Sequence, residues 1–449
     1  MRDTTRTAGL VGWLAQDDGF AMAMAISVAA IVFMLATMLI TLSVYRTQQS
    51  SIQRAQTKAT HMADAGLNAY VAEMRFNADY VDLHPGALTG TQGDGSWRVT
   101  AIPPAAGSNL ATVTSVGTVG SVSRTIHATV RPVGFADYAF FTNAAIYFTS
   151  TDVVHGNVRS NGQVRLATGT QIYGNLIATG GFRNSGGSVI NPPFTQVSGG
   201  VAAVMPAVNF STASSSAADM VTSATAEGQY YPAPAYGGHV IIFGSPTADR
   251  VTIKQFNAIN TSTDPGALTF TSTTETAYPP SGVFAFGGNV FVQGTYSQAV
   301  TVYSAASILI RDDVVSSNSL DKTITCGLMA KNNIYFPTWM AGSPNTLDVQ
   351  AALFAQTGQI SYDNKTTWYS SYNTYRTNLH LQPLDLRPQL NIRGSLVSYN
   401  QIYTQDADPS NHGYTAATFD YDTNLDQTAP PLWPPLGDGE MRVVSWLDY

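Results

Sequence analysis

The chain carries a single cysteine, Cys326, in 449 residues. No internal disulfide can staple it, so its stability has to come from a packed core. Cys326 lies in Thr-Ile-Thr-Cys-Gly-Leu-Met and reads as a small buried residue. Charge is scarce as well. Asp, Glu, Lys and Arg make up 11% of the sequence, against about 25% in ordinary soluble domains. The net charge is −7 and no block of Lys or Arg occurs, so binding to nucleic acid through phosphate neutralisation is not expected. Low charge does not mean disorder here, because 44% of the residues are apolar.

Catalytic signatures are missing too. There is no Gly-x-Ser-x-Gly elbow, phosphate loop, His-Glu-x-x-His helix or paired-cysteine metal site, and the 7 histidines are scattered. Arg311-Asp312-Asp313 and Asp363 are the nearest acidic candidates, but paired Asp at a strand end is a turn signal and they match no catalytic set. Asp312, Asp313 and the Asp406-x-Asp408 loop lack the ligand spacing of a calcium loop. The expectation is a non-enzyme without metal or cofactor.

What the chain does have is a long apolar run near its start. No charged residue occurs from Gly19 through Tyr45. At about 1.5 Å per helical residue, this stretch can cross a hydrocarbon core of about 30 Å. Three readings compete. A secretory signal peptide needs a basic start, a short apolar core and a small-residue cleavage site. Here Arg2 and Arg6 face Asp3, Asp17 and Asp18, the core is too long, and no Ala-x-Ala follows. A plain membrane anchor is the second reading. The third is a prepilin signal, cut after a glycine at the polar-to-apolar boundary so that the apolar segment stays as the mature N-terminus. Gly19-Phe20 sits at that boundary. Basic residues on the far side, Arg46, Arg54 and Lys58, outnumber Arg2 and Arg6, which slightly favours the opposite orientation.

The helical pattern continues past the apolar run. Apolar or small residues at 52, 55, 59, 62, 63, 66, 67 and 70 follow three-and-four spacing. No proline interrupts residues 20–84, and His84-Pro85-Gly86 then stops the helix. Within this stretch Met62-Ala63-Asp64-Ala65-Gly66-Leu67-Asn68 stands out.

Together with Gly19-Phe20, that motif makes roughly the first 75 residues resemble the N-terminal region of PilX-type minor pilins, which commonly read Ala-Glu-Ala-Gly-Leu where this chain has Ala63, Asp64, Ala65, Gly66 and Leu67. The resemblance implies cleavage by a prepilin peptidase and N-methylation at Phe20. It also implies partnership with other pilins and the pilus assembly machinery. The location implied is single-pass in the cytoplasmic membrane before assembly, then an extracellular pilus at the cell surface. Major type IV pilins usually carry Glu five residues into the mature chain, where this sequence has Met24. A lone carboxylate in lipid is costly without a partner amine, and in the resembling families subunits without it are minor components, some at the filament tip. A role in priming assembly or in adhesion follows. The alternatives are a pseudopilin of a type II secretion or DNA-uptake system, and a membrane-anchored β-helix carbohydrate-active enzyme.

Beyond the helix the texture is β. Ser96–Ile102, Leu110–Val116 and Ser123–Val130 alternate apolar and polar residues, so 85–135 is expected to be a small antiparallel unit packed on the helix. His127 falls on its solvent face. From 136 short strands recur with Gly or Asn at their ends, as in Gly156-Asn-Val158 and Gly174-Asn-Leu176, and again in Gly288-Asn-Val290 and Asn333-Ile334-Tyr335. Such recurrence points to a parallel β-helix or solenoid of irregular period, with a β-sandwich as the rival. The fold class expected is therefore α+β: a long N-terminal pilin-like helix, a small antiparallel unit and a mainly β head.

The boundaries that follow are a leader at 1–19, a spine helix at 20–84, the small unit at 85–135 and the head at 136–449. The head is interrupted by a Pro-, Ala- and Ser-rich loop at 192–240. Gly413-Tyr414, Tyr421-Asp422, Pro430-Pro431-Leu432-Trp433-Pro434-Pro435 and Val443-Val444-Ser445-Trp446 are similar in order to the ending of large PilX-like proteins with a solenoid head. The segment 404–449 is expected to wrap the solenoid and cap an open end. A polar loop with Trp368, Tyr369, Tyr372 and Tyr375 is the candidate surface for a glycan or protein ligand.

Overall fold

The computed structural model describes residues 18–76, 80–83, 86–104, 110–259, 268–337, 346–363, 386–403, 413–437 and 440–448. The architecture is α+β, with one long N-terminal helix followed by a mainly β body. The helix spans Asp18–Phe76, with a short turn of helix at Tyr80–Leu83 beyond it. From Met22 to Gln49 its side chains are exposed. Ala59, Ala63, Leu67, Tyr70, Val71 and Met74 are buried, on the three-and-four stripe read from the sequence.

That stripe lies on a five-stranded antiparallel sheet. Its strands, in spatial order, are Leu88–Gln92, Gly95–Ile102, Ala111–Val119, Val122–Pro132 and Met441–Asp448. Val99, Val113, Ile126, Ala128 and Val130 form its helix-facing layer. The fifth strand is the C-terminus of the chain, which differs from a unit confined to 85–135. The whole head is therefore an insertion between the fourth and fifth strands of this sheet. Helix and sheet approach very closely at Gly117, where a Cβ would stand 2.1 Å from the Ala59 carbonyl oxygen and 2.3 Å from the Ala63 nitrogen.

The head is a parallel solenoid. Strands on successive coils pair in parallel, which is incompatible with the sandwich alternative, while Gly238–Phe243, Arg250–Ile259 and Leu268–Ala277 form an antiparallel extension. In its first part the coils are regular. Thr142 and Ser160 stand on neighbouring coils 18 residues apart, as do Asn157 and Asn175. Each of these coils contributes three short strands. Phe140, Val158 and Leu176 stack inside on one face, Ile146, Val164 and Phe182 on the second, Val154 and Ile172 on the third. Later coils lengthen, and Asn333 and Gln359 are 26 residues apart. Asparagines at the corners join one coil to the next. Asn157 Oδ1 accepts the Asn175 N–H at 3.0 Å, Asn175 Oδ1 accepts the Val201 N–H at 3.0 Å, and Asn333 Oδ1 accepts the Gln359 N–H at 2.8 Å.

The order of coils in space is not their order in the chain. The chain winds from Phe140 to Ala203, then leaves through 204–211 and the helix Thr212–Ala226. It restarts at the other end, where Tyr230–Tyr231 pairs with Val283–Phe286. It winds back until Leu386–Ser398 pairs in parallel with Thr346–Ala355 on one side and with Phe140–Thr142 on the other. The last coil thus meets the first in the middle of the stack. The segment 192–240 supplies two coil strands, Val197–Ser198 and Ala202–Ala203, before the helix.

That helix is not a surface ornament. Ala213, Ala217, Met220 and Ala224 are buried against Val283, Ala285, Met329 and Phe354. Trp433 and Leu436 of the proline-rich segment join the same layer, so 430–436 covers the flank of the solenoid rather than an open end. The strands below, such as Val283–Phe286 and Cys326–Ala330, are buried on both sides and read as continuous apolar runs.

Replacing Gly117 by Ala would force the helix off the sheet. We expect a loss of about 1–3 kcal/mol, read as a lower midpoint in thermal unfolding of the full chain. Asn333→Ala should cost about 1 kcal/mol through the lost coil-to-coil hydrogen bond, measured in the same way.

Candidate functional site

Two places carry chemistry that packing alone does not explain: the exposed half of the long helix, and the junction where helix sheet and solenoid meet. One helix, within Met22–Arg75, is long and apolar enough to cross a membrane by length and composition, and its most apolar window is not buried within the protein. Phe33 is 70% exposed and Met24 is 61% exposed. In water such a surface would be strongly unfavourable, so this half of the helix needs lipid or other helices around it. Its hydroxyls do not oppose that placement. Ser27 donates to the Ala23 carbonyl at 2.8 Å, Thr37 to Phe33 at 3.0 Å, and Thr41 to Thr37 at 2.8 Å. These three hydroxyl hydrogens are satisfied within the helix, as a bilayer core requires.

Gly19 and Phe20 lie in the first helical turn, which starts at Asp18. Met24 lies exposed on the apolar surface. The motif singled out in the sequence has a packing role. Ala63 is fully buried, its carbonyl accepts the buried Ser115 hydroxyl at 2.6 Å, and Leu67 is buried beside it. Gly66 has no room for a side chain: a Cβ would stand 2.6 Å from Ser115 Oγ and 3.1 Å from the Trp97 ring. Asp64 and Ala65 are half-buried at the margin of this contact. The small residues at 63 and 66 let the helix seat on the sheet.

The junction was not visible in the sequence. Arg131, at the end of the fourth strand, is 1% exposed, and its guanidinium forks onto Asp137 with Nη1–Oδ2 2.8 Å and Nη2–Oδ1 2.6 Å. Nη2 also donates to the carbonyls of Leu425 at 2.9 Å and Asp426 at 3.1 Å. Arg442, in the last strand, reaches Asp137 Oδ1 at 2.7 Å and Asp426 Oδ1 at 2.5 Å. The Gly134 N–H donates to Asp137 Oδ2 at 2.7 Å, and the Tyr421 hydroxyl donates to the Ala136 carbonyl at 3.1 Å. Burial works against the charge of Arg442, but Asp137 and Asp426 outweigh it and hold the guanidinium above its ordinary pKa. Burial, with Asp426 and Asp137 nearby, pushes the Tyr421 hydroxyl well up, so it stays protonated. No motif marks these residues, because they come from three separate stretches of chain, 131–137, 421–426 and the strand of Arg442.

The other expected positions resolve differently. Trp368, Tyr369, Tyr372 and Tyr375 lie outside the described residues, as do Asp406 and Asp408. Asp313 Oδ1 accepts the Asp348 N–H at 2.9 Å, and burial raises its pKa. It belongs to a ladder between coils, and among the described residues no group of three His, Cys, Asp or Glu could hold a metal ion. Cys326 is buried with its thiol pushed up by burial, as a core residue would be.

No known protein family matches the chain, and no curated protein matches it. Among solved structures it is similar to the competence-associated pilin ComZ from Thermus thermophilus, at 14% identity, over 88% of this chain and 97% of that chain, with a TM-score of 0.33.

The junction makes a quantitative prediction. Arg131→Met leaves Asp137 buried with part of its partners gone, which should cost about 3–5 kcal/mol. Adding Asp137→Leu should return a large part of that loss. Denaturant unfolding of wild type, both single variants and the double variant measures the coupling.

Proposed function

We propose that this protein is a minor subunit of a type IV pilus-like filament, displaying a β-solenoid head outside the cell. The observation that carries the reading is one unbroken helix, Asp18–Phe76, exposed and apolar along its first half and buried under a five-stranded sheet along its second. A plain anchor needs only the first half. The second half, seated through Ala63, Gly66 and Leu67, makes the helix a rigid spine continuous with a folded domain.

In this reading a prepilin peptidase cuts between Gly19 and Phe20 at the cytoplasmic face, and Phe20 is N-methylated. The released helix then packs among the apolar helices of other pilins as the subunit leaves the membrane. Met24 offers no carboxylate to a neighbouring N-terminal amine. Stacking such subunits repeatedly would forgo that pairing, which suits a minor or tip position better than the shaft. The head, built without catalytic motifs, serves assembly or surface contact.

The test is the mature N-terminus, determined by mass spectrometry of membrane and sheared-filament fractions. The reading expects a chain that begins at Phe20, with a methylated amine in the filament fraction. A chain beginning at Met1, or one cut beyond Tyr45, would overturn it and leave an anchored or secreted solenoid.

A further inference from the structure

The first coils of the solenoid form an electrostatic enclave in an acidic protein. Across residues 138–218 the only acid is Asp152, against Arg159, Arg165 and Arg183, while the whole chain has a net charge of −7. Asp152 is occupied in its own turn, accepting the Thr149 N–H at 2.6 Å. Arg159 is buried on the face beneath Pro206, where its Nη2 donates to the Pro206 carbonyl at 3.3 Å. Arg165 and Arg183 are on an open face.

On that face Tyr147, Arg165 and Arg183 stand in register on three successive coils. The Arg165 guanidinium carbon lies 4.7 Å from the Tyr147 ring centroid, a cation–π contact that fixes its plane. Arg165 Nε is shielded from water and has no hydrogen-bond partner, and among the described residues no carboxylate pairs with Arg165. Arg183 is held by two bonds, Nε to Gln163 Oε1 at 2.9 Å and Nη1 to the Gly187 carbonyl at 2.8 Å. Around the corner, His155 and Tyr173 stack with ring centroids 4.8 Å apart and planes 6° apart. Tyr147 is 52% exposed and Tyr173 is 44% exposed.

These groups are ordered before anything binds. Two guanidinia with no acids beside them among the described residues, and two half-exposed tyrosines each with one ring face already covered, describe a site for an anion that also has rings with apolar faces. We propose that this face binds a linear acidic polysaccharide of the polyuronate class. The guanidinium forks match carboxylates in geometry. The tyrosine faces match the C–H faces of pyranose rings. The repeat of the rack, about 4.8 Å from coil to coil, is close to the advance of one sugar along an extended pyranose chain. At that spacing a carboxylate and the hydroxyls of the next sugar meet the guanidinia of successive coils, and the short step favours a sugar chain over a nucleotide chain, whose extended step is longer. The negative charge elsewhere on the protein repels a polyanion and confines it to this face. This inference goes beyond the filament reading and stands or falls separately from it.

The test uses the full chain in detergent micelles at low ionic strength, with a fluorescein-labelled polygalacturonate oligomer followed by anisotropy. Saturable binding is expected, with no binding of neutral dextran. The Arg165→Gln/Arg183→Gln variant should weaken it at least about tenfold, because two charge-assisted contacts are lost. Arg165→Lys, which keeps the charge and loses the planar fork, should fall between. Circular dichroism must match wild type in each variant and thermal unfolding must stay cooperative and well above the assay temperature, since Arg183→Gln gives up two hydrogen bonds within the coil. Absence of polygalacturonate binding would overturn the proposal, as would undiminished binding by the double variant. Tighter binding of oligothymidylate, lost in the same variant, would overturn the polysaccharide assignment in favour of a nucleic acid.

Discussion

A cluster of two arginines and two aspartates, buried at Arg131 and Asp137 and partly exposed at Arg442 and Asp426, decides how the parts of this protein are joined. Arg131 ends the fourth sheet strand, Asp137 precedes the first coil, Asp426 lies where the chain leaves the last coil, and Arg442 belongs to the closing strand. Arg131 and Asp137 are sealed from water, and a buried charge without its partner is far less stable than a paired one. Three stretches that are distant in sequence, 131–137, 421–426 and the strand of Arg442, must therefore arrive together. Once they do, the sheet and the solenoid share one boundary and cannot separate without exposing or orphaning charge. The pair contributes specificity of arrangement more than net stability, since apolar residues of equal volume could pack the same space.

The second constraint is that a solenoid has two ends, each an open strand edge. This chain winds outward, returns along the flank as the helix Thr212–Ala226, and winds back, so that Leu386–Ser398 pairs with Phe140–Thr142. Both the entrance to the head and its exit are thereby placed at the middle of the stack, next to the Arg131–Asp137 cluster. The closing strand Met441–Asp448 then covers the edge of Val122–Pro132 that would otherwise stay open. The flank helix and Trp433 cover the outer side of the central strands, which explains why those strands are apolar at every position rather than at alternate ones.

Much of this was legible in the sequence, for identifiable reasons. The long helix followed from an uncharged apolar run and a three-and-four stripe, both local signals. The small sheet followed from alternation, and the solenoid from Gly-Asn corners before apolar residues. Even the 18-residue coil is present, in His155-Gly156-Asn157-Val158 and Tyr173-Gly174-Asn175-Leu176. The buried stripe Ala213, Ala217, Met220 and Ala224 also has helical spacing, but small residues in a Ser-rich segment give too little apolar contrast to declare a buried face. What was not legible is non-local. Nothing near Arg131 announces Asp426, and no periodicity tells that coil order in space departs from order in sequence. The enclave of Arg165 and Arg183 escaped because charge was read over the whole chain, where it is negative, and not coil by coil.

The central claim is that the head is inserted between two strands of the sheet that seats the spine helix. Thr129 and Ser445, 316 residues apart, face each other across those strands with hydroxyl oxygens at 3.0 Å. A Thr129→Cys/Ser445→Cys chain, mildly oxidised as a monomer, tests this directly, because Cys326 is buried. The account predicts near-complete intramolecular disulfide formation, seen as a faster-migrating non-reduced monomer with the two cysteine-bearing peptides joined in mass spectrometry. No cross-link, or cross-linking only between molecules, would mean that the closing strand does not belong to this sheet.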